Sequence, residues 1–337
     1  MKAIGFKKSH PISHPDSFIE FETGKPTPSG HDILVKIHAV SVNPVDFKIR
    51  KSAATDEVLD EPKIIGWDAV GTVEAVGDKS TLFKVGDEVY YAGDLTRPGS
   101  NAEYQLVDER IVGRKPKSLS NAEAAALPLT TLTAYESLFD RIRIDPAKDA
   151  EKSILILAGA GGVGSIAIQL AKQVAGLTVI ATASRNESQE WCKKMGADFV
   201  VNHYELEAEL KKIGHEQVDY ILELVDLEGY WEQMAEIIKP QGHIVTITDP
   251  GGPLDLSILK AKSVTFHWEF MYTRSMFTTD DIARQHEILN HVADLLDDGT
   301  LQSTLTTTLR GLSADNLKQA HEMQESGKTI GKTVIEF

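Results

Sequence analysis

Hydrophobic and polar residues alternate over short distances in the first third of the chain. Segments with this period of two are typical of β-strands with one buried face. Turn signals separate them, such as Pro26–Gly30, Gly77–Lys79 and Arg97–Ser100. The predicted strands are 2–8, 18–22, 32–43, 68–76, 87–92 and 102–107. This pattern predicts a small β-barrel or β-sandwich over residues 1–123.

The spacing of apolar residues lengthens at Ser120. Ser120 followed by Glu123 is a capping box, which predicts the start of a helix. Beyond it, short apolar runs alternate with segments whose apolar residues recur every three or four positions. The predicted strands are 154–158, 178–183, 199–202, 219–225, 243–248 and 264–270, and the predicted helices are 163–175, 186–195, 205–213 and 229–238. This alternation predicts an α/β fold with a doubly wound parallel sheet.

The chain after residue 275 is expected to return to the first domain. It has a helical pattern at 280–296, a strand at 303–309, a helix at 313–324 and a last strand at 329–337. This stretch is too small to bury a core by itself. We therefore predict one domain formed by 1–123 and 275–337, and a second domain of the α/β type at 124–274.

A glycine turn lies between an apolar run and the helix that follows it. Gly159, Gly161 and Gly164 spell G-x-G-x-x-G, and this strand-turn-helix context makes the motif a dinucleotide fingerprint. We expect Gly159 to permit the tight turn, Gly161 to admit a pyrophosphate, and Gly164 to let helix and strand pack closely. The backbone of Gly161, Gly162 and Val163 would then bind the phosphates at the positive end of the helix dipole.

The end of the second strand of this domain indicates which cofactor binds. In NAD-binding folds, an acidic side chain about 20 residues past the fingerprint binds the ribose hydroxyls. Here Ser184 and Arg185 follow the strand, and the nearest acid, Glu187, lies within the next helix. A hydroxyl and a guanidinium suit a 2′-phosphate, so we predict NADP(H). The alternative is that both side chains merely begin the helix in solvent.

Composition changes this picture mainly by exclusion. The net charge of −15, without a long basic run, argues against nucleic acid or an anionic membrane as a partner. The single cysteine, Cys192, excludes an internal disulfide and a cysteine-rich zinc site. No apolar run approaches the roughly 20 residues of a membrane span, and the first residues lack the apolar core of a signal peptide. We expect a cytoplasmic protein.

Several motifs together resemble the medium-chain dehydrogenase/reductase superfamily over nearly the whole chain. They are Ser41-Val-Asn-Pro-Val-Asp46, Gly66-Trp-Asp-Ala-Val-Gly71, Val85-Gly-Asp-Glu-Val89, 126–134, 158–164, Lys239-Pro-Gln-Gly242 and 327–334. The resemblance implies an amino-terminal domain with a GroES-like β-barrel, a central Rossmann domain, and a carboxyl-terminal return to the first domain.

Three positions depart from the zinc-dependent alcohol dehydrogenases of that superfamily. Asn43, Trp67 and a residue near Leu129 stand where the resemblance implies the cysteine, histidine and cysteine ligands of catalytic zinc. These side chains cannot supply the ligands that an open zinc site needs, and Asp68 alone is not a site, so we predict no metal. The chain resembles the zinc-free, quinone oxidoreductase-like branch, and within it bacterial proteins called zinc-type alcohol dehydrogenase-like. That branch reduces quinones or α,β-unsaturated carbonyls with NADPH.

The resemblance also implies catalytic candidates. Asn43 is the first candidate to donate a hydrogen bond to the substrate carbonyl, where negative charge develops. The alternative is a turn-capping amide before Pro44. Asp46 occupies a recurrent position, and we expect it to be structural rather than catalytic. Trp67 forms either an apolar wall of the pocket or part of the ordinary packing.

Further positions are expected near the cofactor. By resemblance, Thr133 lies near the nicotinamide or the phosphates, unless it is simply a buried helix threonine. His203 is expected near the adenosine phosphate. Lys332 is expected near the 2′-phosphate, with a surface lysine as the alternative. Strand ends on the cofactor side, where open α/β sheets bind ligands, contribute Val225, Thr248, Phe270 and Met271.

The apolar strand 264–270 needs covering, because an exposed sheet edge can pair with another chain. Relatives pair this strand across a two-fold axis, so the resemblance implies a homodimer. Two other functions stay open: an enoyl-thioester or other alkene reductase, and a non-catalytic NADPH-binding sensor or structural protein. Turnover of a quinone or an enone distinguishes the enzyme from the binding protein.

Overall fold

The computed structural model describes residues 1–337, which divide into two compact units. The first unit comprises Met1–Leu132 and Tyr272–Phe337, and the second comprises Thr133–Met271. The first boundary follows residue 132 rather than residue 123, because the helix that begins at Asn121 packs on strands of the first unit. Ser120 caps that helix together with Glu123, which confirms the predicted capping box.

β-Strands dominate the first unit. They are β1 (Lys2–Phe6), β2 (Ile19–Glu22), β3 (Asp32–Ser41), β4 (Lys63–Ile64), β5 (Asp68–Val76), β6 (Glu88–Tyr91), β7 (Tyr104–Asp108), β8 (Val112–Arg114), β15 (Leu305–Arg310) and β16 (Lys332–Glu336). β3 is central, since it pairs antiparallel with β5 along its length and also with β7 and β16. The main sheet has the order β15-β16-β3-β5-β6-β8, and it does not close on itself. A second sheet of three strands, in the order β2-β1-β4, completes the unit, which is the predicted β-rich domain with its barrel left open.

Five α-helices belong wholly to the first unit, and one crosses the boundary. They are α1 (Pro44–Ser52), α2 (Asn121–Ala125), α9 (Thr273–Phe277), α10 (Arg284–Asp297) and α11 (Ala314–Glu325), with α3 (Pro128–Tyr135) at the boundary. The sequence pattern predicted a strand up to Asn43 and missed α1. β3 ends at Ser41, and the helix starts at Pro44, a residue that suits a first helical turn because it has no amide hydrogen to leave unpaired.

The second unit is built on a six-stranded parallel sheet. Its strands are β9 (Ser153–Ile156), β10 (Thr178–Thr182), β11 (Phe199–Val201), β12 (Val218–Glu223), β13 (Ile238–Thr246) and β14 (Thr265–Trp268). Its helices are α4 (Pro146–Asp149), α5 (Gly162–Gln169), α6 (Asn186–Lys194), α7 (Leu206–Lys212) and α8 (Leu227–Ile237). The order β11-β10-β9-β12-β13-β14 is the Rossmann order, which confirms the α/β class and the parallel sheet. The order reverses between β9 and β12, where such sheets bind dinucleotides.

Apolar side chains hold this sheet in place. Leu155, Ile180 and Ile221 are fully buried, and they belong to one cluster with Trp231 and Met234 of α8. Burial of each large apolar side chain stabilises the fold by about 1.5–3 kcal/mol. The carboxyl ends of the strands therefore lie on a rigid platform. No helix in either unit combines the length and the apolar character that crossing a membrane requires.

Candidate functional site

The glycine turn connects β9 to α5, in the context that the sequence predicted. A Cβ atom on Gly159 would lie 2.7 Å from the Cβ of Ala181 and 3.1 Å from the Sγ of Cys192. Gly159 therefore serves close packing, not the tight turn that we expected of it. The turn depends instead on Ala158, which adopts a φ of +57°, an uncommon value for a residue with a side chain.

Gly161 and Gly164 fit the expected roles at the start of α5. A Cβ atom on Gly164 would lie 2.6 Å from the carbonyl oxygens of Ala158 and Gly159, so only glycine lets the helix approach the turn. A Cβ atom on Gly161 would meet only the oxygen of Ala158, at 3.4 Å, so the other side of Gly161 is open. Because Gly161 is also the N-cap of α5, the open side adjoins unsatisfied helix amides. These residues fit the pyrophosphate of a dinucleotide.

Two predicted cofactor residues follow β10, next to the glycine turn in the sheet. Ser184 is half-buried and Arg185 is exposed, directly before α6. The nearest acid, Glu187, lies in the first turn of that helix, as the sequence indicated. His203 follows β11, the outermost strand, and its ring lies 4.2 Å from the ring of Tyr204. At the end of β10, where an NAD-binding fold would need a carboxylate for the ribose, the chain has Ser184 and Arg185 instead.

The ends of β12 and β13 carry a buried network that the sequence did not reveal. Glu223 ends β12 with no exposed surface, and its carboxylate accepts hydrogen bonds from the hydroxyls of Thr246 and Thr248. Val225, two residues further on, is 52% exposed. The Thr248 hydroxyl thus already donates its hydrogen within the protein. An acid that ends an apolar strand, paired in register with a threonine, was the available signal.

The remaining predicted cofactor residues differ in exposure. Phe270 is 48% exposed, whereas Met271 is buried. Thr133 is buried in α3, and its carbonyl oxygen accepts a hydrogen bond of 2.7 Å from the hydroxyl of Ser137. Thr133 has the features of the buried helix threonine that was the alternative to a cofactor contact.

Lys332 is the centre of a buried polar cluster in the first unit. Its side-chain ammonium donates to Oδ1 of Asn43, to the carbonyl of Val42 at 3.0 Å, and to Oδ2 of Asp68 at 3.2 Å. All three hydrogens of the ammonium therefore have internal acceptors. Lys332 is neither the 2′-phosphate ligand nor the surface lysine that the sequence suggested. Burial lowers the pKa of Lys332, an effect opposed by the charge and the hydrogen bond of Asp68.

Asn43 and Asp46 belong to the same cluster. The amide nitrogen of the Asn43 side chain donates to Oδ2 of Asp68 at 2.8 Å, and Asn43 is also the N-cap of α1, in a capping box with Asp46. In that box, Oδ2 of Asp46 accepts the backbone N–H of Asn43 at 2.6 Å. The other oxygen of Asp46 is buried without a hydrogen-bond partner. Burial raises the pKa of Asp46 to about 7.

Trp67 has no exposed surface, so packing rather than a pocket wall describes its place in this structure. Its indole N–H donates to the carbonyl of Asp94 at 3.0 Å, and its ring meets that of Tyr272 edge to face with centroids 6.4 Å apart. Burial raises the pKa of Tyr272 well above its usual value.

This cluster does not fit zinc. Oδ1 of Asp68 accepts the backbone N–H of Leu129 at 2.7 Å, while Oδ2 accepts from Asn43 and Lys332. Zinc needs three protein ligands with free nitrogen, sulfur or oxygen lone pairs. Here both oxygens of the carboxylate already accept hydrogen bonds, and an ammonium lies against it. The chain also has no group of three or more His, Cys, Asp or Glu residues arranged to hold a metal ion.

Comparison with known sequences identifies the two halves separately and the whole chain together. The family called Alcohol dehydrogenase GroES-like domain matches residues 29–117, and Zinc-binding dehydrogenase matches residues 162–287. A zinc-type alcohol dehydrogenase-like protein of Staphylococcus aureus is 49% identical over 99% of this chain and 99% of its own length. The 2-methylene-furan-3-one reductase of Solanum lycopersicum is 33% identical over 94% of this chain and 74% of its own length.

Solved structures show the same relationship. A Rhizobium etli protein described as a zinc-dependent alcohol dehydrogenase has a TM-score of 0.95 and 50% identity, covering 100% of this chain and 98% of that one. Escherichia coli quinone oxidoreductase, complexed with NADPH, has a TM-score of 0.84 and 25% identity, covering 100% of both chains. Matched along its whole length in sequence and fold, the chain is an oxidoreductase that belongs to the medium-chain dehydrogenase/reductase superfamily.

Proposed function

We propose that this protein transfers hydride from NADPH to a quinone or an α,β-unsaturated carbonyl, without a metal ion. The observation that carries the proposal is the contact between the Lys332 ammonium and Asp68. The positive charge beside this carboxylate comes from a lysine of the chain itself and not from a metal ion. Support also comes from the names of two relatives, a 2-methylene-furan-3-one reductase and a quinone oxidoreductase complexed with NADPH.

The second unit would hold the cofactor. The open backbone of Gly161 and the first amides of α5 suit the pyrophosphate. Ser184 and Arg185 suit the 2′-phosphate, because a guanidinium donates charge-assisted hydrogen bonds to phosphate oxygens. A carboxylate at the end of β10 would repel that phosphate, and none is present. We therefore propose NADPH rather than NADH.

The absence of metal ligands limits the substrates. NADPH supplies the hydride. As the hydride is transferred, the carbonyl oxygen of the substrate gains negative charge. A metal stabilises such charge as a Lewis acid. A quinone or an enone delocalises the charge over its conjugated system, so it reacts more easily than a saturated ketone does. We therefore propose a conjugated acceptor.

Asn43 is our candidate for the hydrogen-bond donor to that oxygen. The Lys332 ammonium binds Oδ1 and Asp68 binds one hydrogen of Nδ2, which together fix the orientation of the amide. The second hydrogen of Nδ2 has only a marginal internal acceptor, the carbonyl of Ser41 at 3.5 Å. Asn43 is almost fully buried, so it can act as this donor only where the substrate oxygen reaches the cluster; a fixed donor there stabilises a developing oxyanion without reorganising. Lys332 and Asp68 act here as positioning residues.

We further propose a homodimer formed through residues 264–270. β14 is the outer strand of the six-stranded sheet and pairs only with β13. Trp268 and Phe270 expose about half of their surfaces, 50% and 48%. An apolar strand with one free edge favours pairing with a second copy of the same strand.

The test of substrate class is a panel of matched acceptors under steady-state conditions. NADPH oxidation is followed at its absorbance maximum with an ortho-quinone, an enone and the saturated ketone of the same carbon skeleton. We expect turnover of the quinone or the enone and little of the saturated ketone. Faster turnover of the saturated ketone would contradict the proposal. NADPH binding without turnover of any acceptor would favour the non-catalytic alternative.

A further inference from the structure

Glu223 lies where β12 ends, beside the point at which the order of the parallel sheet reverses. Its side chain has no exposed surface, and no ion pair with a lysine, arginine or histidine accompanies it. A buried carboxylate without a counter-cation is costly unless hydrogen bonds compensate its charge. Its partners therefore explain why a carboxylate is tolerated at this position.

Four donors converge on this one carboxylate. Oε1 accepts the backbone N–H groups of Val225 at 2.5 Å and Asp226 at 2.6 Å. Oε2 accepts the hydroxyls of Thr246 at 2.6 Å and Thr248 at 2.5 Å. The first pair fixes the backbone just after β12, and the second pair fixes the end of β13. One side chain thus joins the carboxyl ends of two neighbouring strands.

The network determines what each strand end presents to a ligand. Thr248 donates its hydroxyl hydrogen to Glu223 and accepts the N–H of Leu227 at 3.2 Å, so the hydroxyl is committed to the protein. Val225, by contrast, is held by its backbone while its side chain remains exposed. An apolar side chain fixed at this edge suits contact with a flat, uncharged ring.

We propose that Glu223 is a positioning residue for the dinucleotide: it holds the ends of β12 and β13 so that Val225 contacts the cofactor, while Thr248 acts through Glu223 and not as a direct ligand. The inference rests on the proposed use of a nicotinamide dinucleotide. It adds a residue that does not touch the cofactor but sets the geometry of those that do. Misplacement of a binding group by about 1 Å can cost up to a hundredfold in activity.

The chain offers a matched control in its other unit. Glu109 is also buried, and its carboxylate accepts the backbone N–H groups of Thr81 at 2.9 Å and Leu82 at 2.8 Å. Glu109→Ala therefore removes a similar set of hydrogen bonds in the first unit. A loss of stability found in both variants reflects the removal of buried hydrogen bonds in general. A loss of cofactor affinity found only in Glu223→Ala reflects a specific effect on the cofactor site.

The experiment measures the dissociation constant of NADPH by fluorescence titration, together with thermal stability and KM and kcat. For Glu223→Ala we expect affinity for NADPH to fall by about tenfold or more, whereas Glu109→Ala keeps it within about twofold. Glu223→Gln should recover part of the affinity, since its carbonyl can still accept the two backbone N–H groups. The inference is overturned if Glu223→Ala and Glu109→Ala bind NADPH equally well.

Two threonine variants separate indirect from direct action of Thr248. Thr246 is fully buried and cannot touch a cofactor, yet it donates to the same oxygen of Glu223. Thr246→Val and Thr248→Val should therefore weaken NADPH binding to a similar extent, and neither effect should add to that of Glu223→Ala. A large, additive loss confined to Thr248→Val would overturn the assignment. These variants also test the network if Glu223→Ala fails to fold.

The same titrations keep the two proposals distinguishable. If the unmodified protein binds neither NADPH nor NADH, the proposed function fails, and the inference fails with it. If the protein binds a dinucleotide but the Glu223 and threonine variants bind it as tightly, only the inference about Glu223 fails.

Discussion

The ammonium nitrogen of Lys332 lies 3.2 Å from Oδ2 of Asp68, and both side chains are almost completely buried. The two residues are 264 positions apart, one at the start of β5 and the other at the start of β16. Their contact neutralises a buried carboxylate with a cation from the chain itself. Removing one partner of a buried pair leaves the other charge uncompensated, which is more costly than the pair is stabilising.

Replacement of Lys332 should therefore be strongly destabilising. We expect Lys332→Met to lower the free energy of unfolding by roughly 3–5 kcal/mol, because Asp68 is left buried without its cation. The double variant Lys332→Met with Asp68→Asn should regain part of this loss, since the uncompensated charge of Asp68 is then removed as well. Denaturation with urea at neutral pH measures all three proteins.

A suitable control for that measurement is Lys262→Met. The Lys262 ammonium also donates to three acceptors, but they are the carbonyls of Ala235, Glu236 and Ile238 and not a carboxylate. Lys262→Met should therefore lower the free energy of unfolding by less than Lys332→Met does. Two results would show that charge compensation does not explain the destabilisation of Lys332→Met. One is an equal loss of unfolding free energy in Lys262→Met, and the other is a double variant no more stable than Lys332→Met.

Asp46 should make stability depend on pH. Burial raises its pKa from 3.8 in the unfolded chain to about 7 in the folded protein. Between these values the folded protein holds a proton that the unfolded chain has lost, so this group destabilises the fold increasingly as pH rises from about 4 to about 7. Asp46→Asn removes the effect. Relative to the unmodified protein, the free energy of unfolding of the variant should rise by roughly 4 kcal/mol between about pH 4 and pH 7. Above about pH 7 the difference should stay constant.

Urea denaturation of both proteins at a series of pH values measures that gain. The quantity to follow is the difference in unfolding free energy, which cancels the titration of all other groups. At about pH 3 the Asp46 side chain is mostly neutral in both the folded and the unfolded protein, so the difference there gives the cost of the substitution itself. A difference that is independent of pH would contradict the raised pKa of Asp46.

Arg185 should determine the preference for NADPH over NADH. A charge-assisted hydrogen bond contributes about 1.5–3 kcal/mol, so Arg185→Ala should weaken NADPH binding by roughly ten- to a hundredfold and leave NADH binding unchanged. Titration with each cofactor measures both constants. Lys193→Ala removes a cation from the same helix, where Lys193 pairs with Glu190, and should affect neither cofactor. Equal binding of NADH and NADPH by the unmodified protein would refute the preference.

Trp268 should stabilise the dimer. Trp268→Lys places a charge at the free edge of β14 and should shift the protein from dimer to monomer at micromolar concentration, as measured by light scattering. Val58→Lys is the control, because Val58 is an exposed apolar residue of the first unit, with 65% of its surface exposed. This variant should have the same molecular mass in solution as the unmodified protein. If the unmodified protein is already monomeric, the homodimer is wrong.

The second unit was largely predictable because its determinants are local. Apolar runs of strand length and helical stripes follow one another, and Gly159–Gly164 lies between the first such strand and helix. Even there, the left-handed residue of the turn is Ala158 and not a glycine, since packing against Ala181 decides where glycine is required. Pattern alone shows where the turn lies but does not assign a role to each of its residues.

The first unit was less predictable because its site depends on distant contacts. Lys332 and Asp68 each appear in the sequence as a single charge at the start of an apolar strand, which is also typical of solvent exposure. Only the pairing of β16 with β3, and of β3 with β5, brings them together. The helix after Asn43 was missed for a similar reason, since a β-prone run precedes Pro44 without a break in pattern. Glu223 was missed because four donors from separate segments define it.

The most direct test of metal-free reduction combines metal analysis with turnover on the same sample. Protein purified without a histidine tag is dialysed against a strong chelator, its zinc content is measured, and NADPH oxidation by an ortho-quinone or an enone is then followed with and without added zinc. We expect less than about 0.1 zinc per chain, with turnover that neither the chelator nor added zinc changes by more than about twofold, because Lys332 already supplies the cation. Stoichiometric zinc in the active protein, or activity that the chelator abolishes and zinc restores, would contradict the proposal.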